Sequence, residues 1–373
     1  MSLQPAPSAA ATRASRSDTP LKVLVVDDSA IVRKMIADAL RAEPGVEVVG
    51  GAGDPFVARD MILQHRPDVL TLDIEMPRMD GITFLKRLMA HHPLPVIVVS
   101  SVTRSGSEAS IEALRAGAID VIAKPGGPTS VGMVTERLRE RIRALRVSRP
   151  RLQAAHPAPA VPASTMPTTS AFRSAHGLLL IGASTGGPQA IEAVLTRLPA
   201  DVPPTLVVQH MPANFTAAFA ARLDQVCPMR VFEARGGERL TRGTVLVAPG
   251  DHHLLVQRQG VELTAVLRQG PQVHHQRPAV DVLFASAAQL TGVPTVAVLL
   301  TGMGADGADG MVALRRAGAI TLAEDEHSCV VFGMPREAIA RGGAERVVSL
   351  LKMPAAVFEA FETLRVRRSV TAG

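Results

Sequence analysis

Short runs of Val, Leu and Ile alternate with amphipathic segments along most of the chain, and this alternation is the first thing the sequence shows. In the first third the runs are LKVLVV, VEVVG, DVLTL, PVIVVS and IDVIA. Strands that are apolar without a break imply a parallel sheet covered on both faces. The segments between them read as helices: across Ala30 to Arg41, residues Ile31, Val32, Met35, Ile36, Ala39 and Leu40 form one stripe. Five βα units in succession predict a doubly wound α/β domain over residues 21–147.

The alternation breaks and then resumes. Residues 1–20 are Ser, Ala, Pro and Arg without periodicity, which predicts a disordered tail, and residues 148–175 are rich in Pro and Ala, which predicts a semi-extended linker. Beyond it HGLLLIG, TLVVQ, PTVAVLL and AITLA predict a second, mostly parallel α/β domain over 176–368. Within it GTVLVAPGDHHLLVQRQGVELTAVL alternates apolar and polar residues across Pro-Gly-Asp and Arg-Gln-Gly turns, the pattern of antiparallel hairpins added to that sheet.

At 373 residues, with 47% hydrophobic and 20% charged residues, the chain holds enough apolar material for two cores and is not disordered throughout. Aromatic residues are only 3%, with no Trp and no Tyr, so base stacking is a poor mode of recognition and no nucleic-acid partner is expected. The net charge of +6 is partly gathered at Arg137, Arg139, Arg141, Arg143, Arg146, Arg149 and Arg151, which reads as a solvated helix face running into the linker. Two cysteines, Cys227 and Cys329, are too few for a disulfide framework and read as buried thiols. With no run of about 18 apolar residues and no signal-peptide pattern, the expectation is a cytoplasmic protein without membrane insertion.

Chemistry-bearing residues fall at the ends of the predicted strands. The first strand ends in Asp27-Asp28 and the third in Asp73, so three carboxylates converge at the carboxyl edge of the first sheet. Two carboxylates about 5 Å apart repel by roughly 3 kcal/mol at an effective dielectric near 20, so such a pocket takes up protons or a divalent cation. Mg²⁺ fits an all-oxygen set best. Ser100-Ser101 and Lys124-Pro125 end the fourth and fifth strands and add a hydroxyl and an ammonium suited to a phosphoryl group.

VDDSA, LDIEMPRMDG around Asp73, Ser100 and Lys124-Pro125 together resemble a response-regulator receiver domain. The resemblance implies that a histidine kinase phosphorylates Asp73, that Asp27 and Asp28 hold Mg²⁺ with Asp73, and that Ser100 and Lys124 contact the phosphoryl oxygens. One position departs from the pattern: three residues before Lys124, where receivers often carry an aromatic switch, stands Val121.

In the second domain HGLLLIG runs into GASTGGP, and Gly182, Ser184 and Gly186 satisfy G-x-S-x-G. A strand-to-helix turn of this kind exposes a serine hydroxyl beside helix N–H donors; the same physics also permits a phosphate cradle. A serine nucleophile needs a base and an orienting carboxylate. His210 ends TLVVQ and Asp306 lies in the turn TGMGADG after PTVAVLL. His252, His253, His274 and His275 lack neighbouring Cys or spaced carboxylates, so no zinc site is expected.

Other outputs remain open at this level: a DNA- or protein-binding module, for which no basic recognition helix is visible, or a nucleotide-binding domain with GASTGG and TGMGADG as cradles.

GASTGGP, QHMP and LLTGMGADGADG behind a receiver are similar to the chemotaxis protein-glutamate methylesterase family. That similarity implies hydrolysis of glutamate methyl esters, and deamidation of glutamines, on chemoreceptors. It implies Ser184 as nucleophile, His210 as base, Asp306 as orienter and the Met303 backbone N–H as oxyanion donor, with no cofactor for the esterase reaction. It also implies that the unphosphorylated receiver inhibits and that phosphorylation of Asp73 relieves the inhibition.

Overall fold

The computed structural model describes residues 19–76, 78–101, 103–124, 131–148 and 177–371. The tail, but for its last two residues, and the linker, but for its first, lie outside the described residues, as do Pro125, Arg149 and Arg151. The rest divides into two compact units.

The first unit carries a five-stranded sheet. Over residues 19–148 the elements in chain order are β1 (Leu21–Val26), α1 (Ala30–Arg41), β2 (Val46–Ala52), α2 (Pro55–His65), β3 (Val69–Asp73), α3 (Gly81–His91), β4 (Val96–Ser100), α4 (Arg104–Arg115), β5 (Asp120–Ala123) and α5 (Val131–Ser148), of which α4 is grouped with the second unit. The strands run in the order β2-β1-β3-β4-β5, all parallel. Every residue of β3 and β4 is buried, as continuous apolar runs require of interior strands. The helices start where short polar side chains satisfy free N–H groups: Asp54 accepts from Phe56 and Val57, and Asp80 from Thr83.

Two expectations change here. On α1 the buried residues are Ile36, Ala37 and Leu40, whereas Ile31 is 81% exposed, so the apolar stripe is one turn shorter than the sequence suggests. The arginine run is also less solvated than expected. Arg141 pairs with the buried Asp120 at 2.7 Å, Arg143 with Glu43 at 2.7 Å, and Arg139 Nε donates to Ala39 O at 2.9 Å. These residues tie α5 to β5 and α1.

From residue 177 the chain continues with β6 (Leu178–Ala183), α6 (Gly187–Leu195), β7 (Thr205–Gln209), α7 (Phe215–Val226), β8 (Arg230–Glu233) and β9 (Thr244–Val247), all in the second unit. The hairpin β10 (His253–Gln259) and β11 (Glu262–Arg268) follows, then α8 (Val280–Ala288), β12 (Thr295–Leu299), α9 (Ala308–Arg316), β13 (Ile320–Glu324), α10 (Met334–Ala340), β14 (Arg346–Val348) and α11 (Met353–Thr371). Seven strands pair in the order β14-β13-β12-β6-β7-β9-β8, and all pairings are parallel.

The predicted hairpins are therefore half right. GTVLV is β9, a parallel member of the main sheet, and only β10 and β11 pair antiparallel, as a separate two-stranded sheet. Its Leu254, Val256 and Ala265 join Val280, Leu283 and Phe284 of α8 in the core, so burial of one face holds the hairpin in place. Cys227 and Cys329 are free but only partly buried, and burial pushes the Cys227 thiol up to about 12. No helix among the described residues is long and apolar enough to cross a membrane.

Candidate active site

In both sheets strand order reverses beside the first strand of the unit, and open α/β folds place ligands in the crevice at that reversal. In the second unit the reversal lies between β6 and β12. Ser184 follows β6 directly, and Thr301 to Gly304 form the turn just beyond β12.

Backbone bonds fix Ser184 from several sides. Its N–H donates to Thr301 O at 3.0 Å, and its carbonyl accepts from Gly187 N at 2.8 Å and from Gln209 Nε2 at 2.8 Å. The turn can be this tight only without side chains: Gly186 has φ 77°, and a Cβ on Gly187 would lie 2.0 Å from Gln209 Oε1. A Cβ on Gly302 would fall 2.8 Å from Ser184 Cβ and 2.2 Å from Met334 Sδ, so the turn carrying Met303 packs directly against the serine.

His210, just past β7, is tied to the same edge by its N–H donating to Ala183 O at 3.2 Å. Its Nε2 lies 2.8 Å from Asp306 Oδ2. Asp306, 2% exposed, also accepts from Val280 N at 2.7 Å and Asp281 N at 2.8 Å, at the start of α8. Burial alone would raise this carboxyl, but the bond and attraction to His210 and the two N–H donors outweigh it, so Asp306 is held below the ordinary carboxylate range. An ionised carboxylate only accepts hydrogen bonds, so His210 Nε2 is the donor to Asp306.

The sequence-predicted serine, histidine and aspartate thus meet on one sheet edge, with one difference from expectation. Ser184 Oγ is buried and makes no hydrogen bond, so the serine–histidine bond is not formed in this conformation. Such bonds are commonly loose before substrate binds.

Several participants were not foreseen. Gln209, immediately before His210, reaches both Ser184 O and His210 O. Glu324, at the end of β13, is fully buried; its Oε2 accepts from Thr301 N at 2.8 Å, and burial raises it to about 7 against the donors Thr301 N–H, Ser328 and Cys329. The histidines do have carboxylate neighbours in space. His274 Nε2 lies 2.9 Å from Asp281 Oδ2, and His274, Asp281 and Asp306 form a group with ligand atoms within 4.8 Å of one another. Burial raises the Asp281 carboxyl, with the Gly310 N–H opposing. His253 instead bonds backbone, with Nε2 3.0 Å from Pro271 O and Nδ1 3.2 Å from Ala279 N.

In the first unit the reversal lies between β1 and β3. Asp27, Asp28 and Asp73 gather there with oxygens within 4.8 Å of one another. Asp27 Oδ1 accepts from Ser29 N and Asp73 Oδ1 from Glu75 N, while Lys124 Nζ lies 2.6 Å from Asp73 Oδ2 and 3.3 Å from Asp27 Oδ2. Burial raises both carboxyls despite Lys124, and the two carboxylates in turn hold the Lys124 ammonium above its usual value although burial opposes it. Ser100 is buried at the end of β4, where its carbonyl accepts from Lys124 N at 2.6 Å. Asp27 Oδ2 is buried and faces the Lys124 ammonium. A cluster of three carboxylates offering only oxygen donors suits Mg²⁺. Val121 is buried in β5.

A phosphorylation-type acidic pocket on one α/β sheet and a serine–histidine–aspartate edge on a second define a receiver domain joined to a hydrolase domain. Residues 23–133 match the response regulator receiver domain, and residues 179–357 match the CheB methylesterase domain. Protein-glutamate methylesterase/protein-glutamine glutaminase 2 of Syntrophus aciditrophicus is 51% identical over 333 residues, 88% of this chain and 96% of its own. The protein of the same name and number from Pseudomonas aeruginosa is 49% identical over 342 residues, covering 91% and 97%, and the unnumbered protein-glutamate methylesterase/protein-glutamine glutaminase of Methylobacillus flagellatus is 48% identical over 343 residues, covering 91% and 96%. The chain belongs to the family of receiver-linked protein-glutamate methylesterase/protein-glutamine glutaminases.

Proposed function

We propose that this chain hydrolyses glutamate methyl esters on chemoreceptors, and deamidates particular receptor glutamines, under control of phosphorylation at Asp73. The observation that carries the chemistry is the 2.8 Å contact between His210 Nε2 and Asp306 Oδ2 on the edge that also presents Ser184. His210 Nδ1 takes the Ser184 Oγ proton as Oγ attacks the ester carbonyl, with the developing oxyanion beside the Met303 backbone N–H. The tetrahedral adduct collapses as His210 returns the proton to the leaving group. Methanol departs from an ester, ammonia from an amide. Water, deprotonated by the same nitrogen, then frees the glutamate from the acyl-enzyme.

In the receiver, Asp73 accepts a phosphoryl group from a partner histidine kinase, and Ser100 and Lys124 bind its oxygens. Asp27, Asp28 and Asp73 would hold Mg²⁺, which when bound offsets the charge on the phosphoryl oxygens. Phosphorylation relieves inhibition of the hydrolase domain. A cytoplasmic location accords with such partners. Methanol release from methylated receptor membranes, with and without a small phosphodonor and Mg²⁺, tests both parts. Release that rises with the phosphodonor supports them together; release that ignores it removes the control and leaves the chemistry, and no release removes the esterase reading.

A further inference from the structure

Gln209 closes β7 opposite Ala183 and is 1% exposed. Its side chain crosses to the turn after β6, where Nε2 donates to Ser184 O at 2.8 Å and to His210 O at 3.3 Å. Both acceptors are the main-chain carbonyls of the residues read above as nucleophile and base. The amide has one orientation available, because its flip would set Oε1 against two carbonyl oxygens. Oε1 itself is buried without a hydrogen bond, and it occupies the space that a Cβ on Gly187 would need.

An apolar side chain of the same length would fill this volume without burying an unsatisfied carbonyl, which is costly. The amide's particular contribution is its pair of donors, and both are spent on holding two adjacent strand ends at a fixed separation. Ser184 Oγ and His210 must approach to hydrogen-bond distance for attack, and a misplacement of about 1 Å at such a site costs on the order of 100-fold in rate.

We propose that Gln209 is a positioning residue that clamps the nucleophile's backbone to the base's backbone. This rests on the assignment of Ser184 and His210 made above. Gln209 touches no reacting atom, so its loss slows the chemical step and leaves substrate affinity alone.

The test uses full-length, phosphodonor-activated protein carrying Gln209→Met, of similar shape without donors, or Gln209→Glu, which replaces the donors by acceptors when ionised. The readouts are kcat and KM for methanol release, the rate at which a fluorophosphonate labels Ser184, and the thermal melt. For Gln209→Met the expected result is kcat and labelling rate lowered together by about 10- to 100-fold, with KM within about twofold and a cooperative melt retained. Gln209→Glu falls at least as far. A folded Gln209→Met with kcat and labelling within about twofold of wild type overturns the proposal; if that variant does not fold, the same criterion applied to Gln209→Glu decides. Ser184→Ala is measured alongside. Activity in Ser184→Ala overturns the nucleophile assignment itself, whereas an inactive Ser184→Ala beside an unimpaired Gln209→Met overturns only the clamp.

Discussion

His210 turns Nε2, and not Nδ1, toward Asp306, at 2.8 Å from Oδ2. The carboxylate is held ionised by the start of α8 as well as by the imidazole, so it fixes which ring nitrogen is left to take a proton.

Asp306→Asn replaces an acceptor by a group that can donate, and His210 then loses the tautomer that keeps Nδ1 free. In a well-studied serine protease the corresponding change lowers kcat by about 10⁴, and a loss of that order is expected here. Steady-state methanol release measures it; a loss under tenfold contradicts the role given to Asp306.

Asp73→Asn removes the carboxylate that Lys124 Nζ meets at 2.6 Å. The expected outcome is basal methanol release close to wild type and no stimulation by phosphodonor and Mg²⁺. Undiminished stimulation would mean that another group accepts the phosphoryl.

Gly302→Ala places a Cβ 2.8 Å from Ser184 Cβ and 2.2 Å from Met334 Sδ, closer than atoms tolerate. The turn bearing Met303 must shift, and kcat should fall by on the order of 100-fold, since a displacement of about 1 Å at a reacting centre has that effect. A variant with wild-type kcat would show that this turn does not form part of the site.

Glu324 is raised from 4.5 to about 7 by burial. The folded state therefore binds more protons than the unfolded state between those values, and stability falls as pH rises through that window. Glu324→Gln removes the penalty, so it should be more stable than wild type at pH 8 by up to about 3 kcal/mol, with the advantage shrinking toward pH 5. Denaturant midpoints of both proteins at the two pH values check this; an equal difference at both would place the titration elsewhere.

The strands that build the two sites were legible because they are apolar without interruption, and the chemistry was legible because Asp27, Asp73, Lys124, Ser184 and His210 stand at or just past their ends. What was not legible depends on pairing across the fold. The strand β8, RVFE, and the strand β14, RVV, are short and partly charged, so local pattern gives them no weight until a neighbour pairs with them. The antiparallel reading of GTVLV failed because alternation shows that a segment is extended without showing its partner, and β9 lies between β7 and β8. Gln209 and Glu324 read as ordinary polar residues at strand ends. Their importance comes from contacts with Ser184 O, His210 O and Thr301 N, which no spacing along the chain reveals. The His274–Asp281 pair has no sequence signature because its residues lie on a loop and a helix, seven positions apart, without a metal-ligand spacing.

The most direct test of the whole account compares methanol release from methylated chemoreceptor membranes by wild-type protein and by Ser184→Ala, each with phosphodonor and Mg²⁺. Wild type is expected to show phosphodonor-stimulated release, and Ser184→Ala a loss on the order of 10⁶ in kcat, as for deletion of a triad nucleophile. Release by Ser184→Ala within about tenfold of wild type would contradict it.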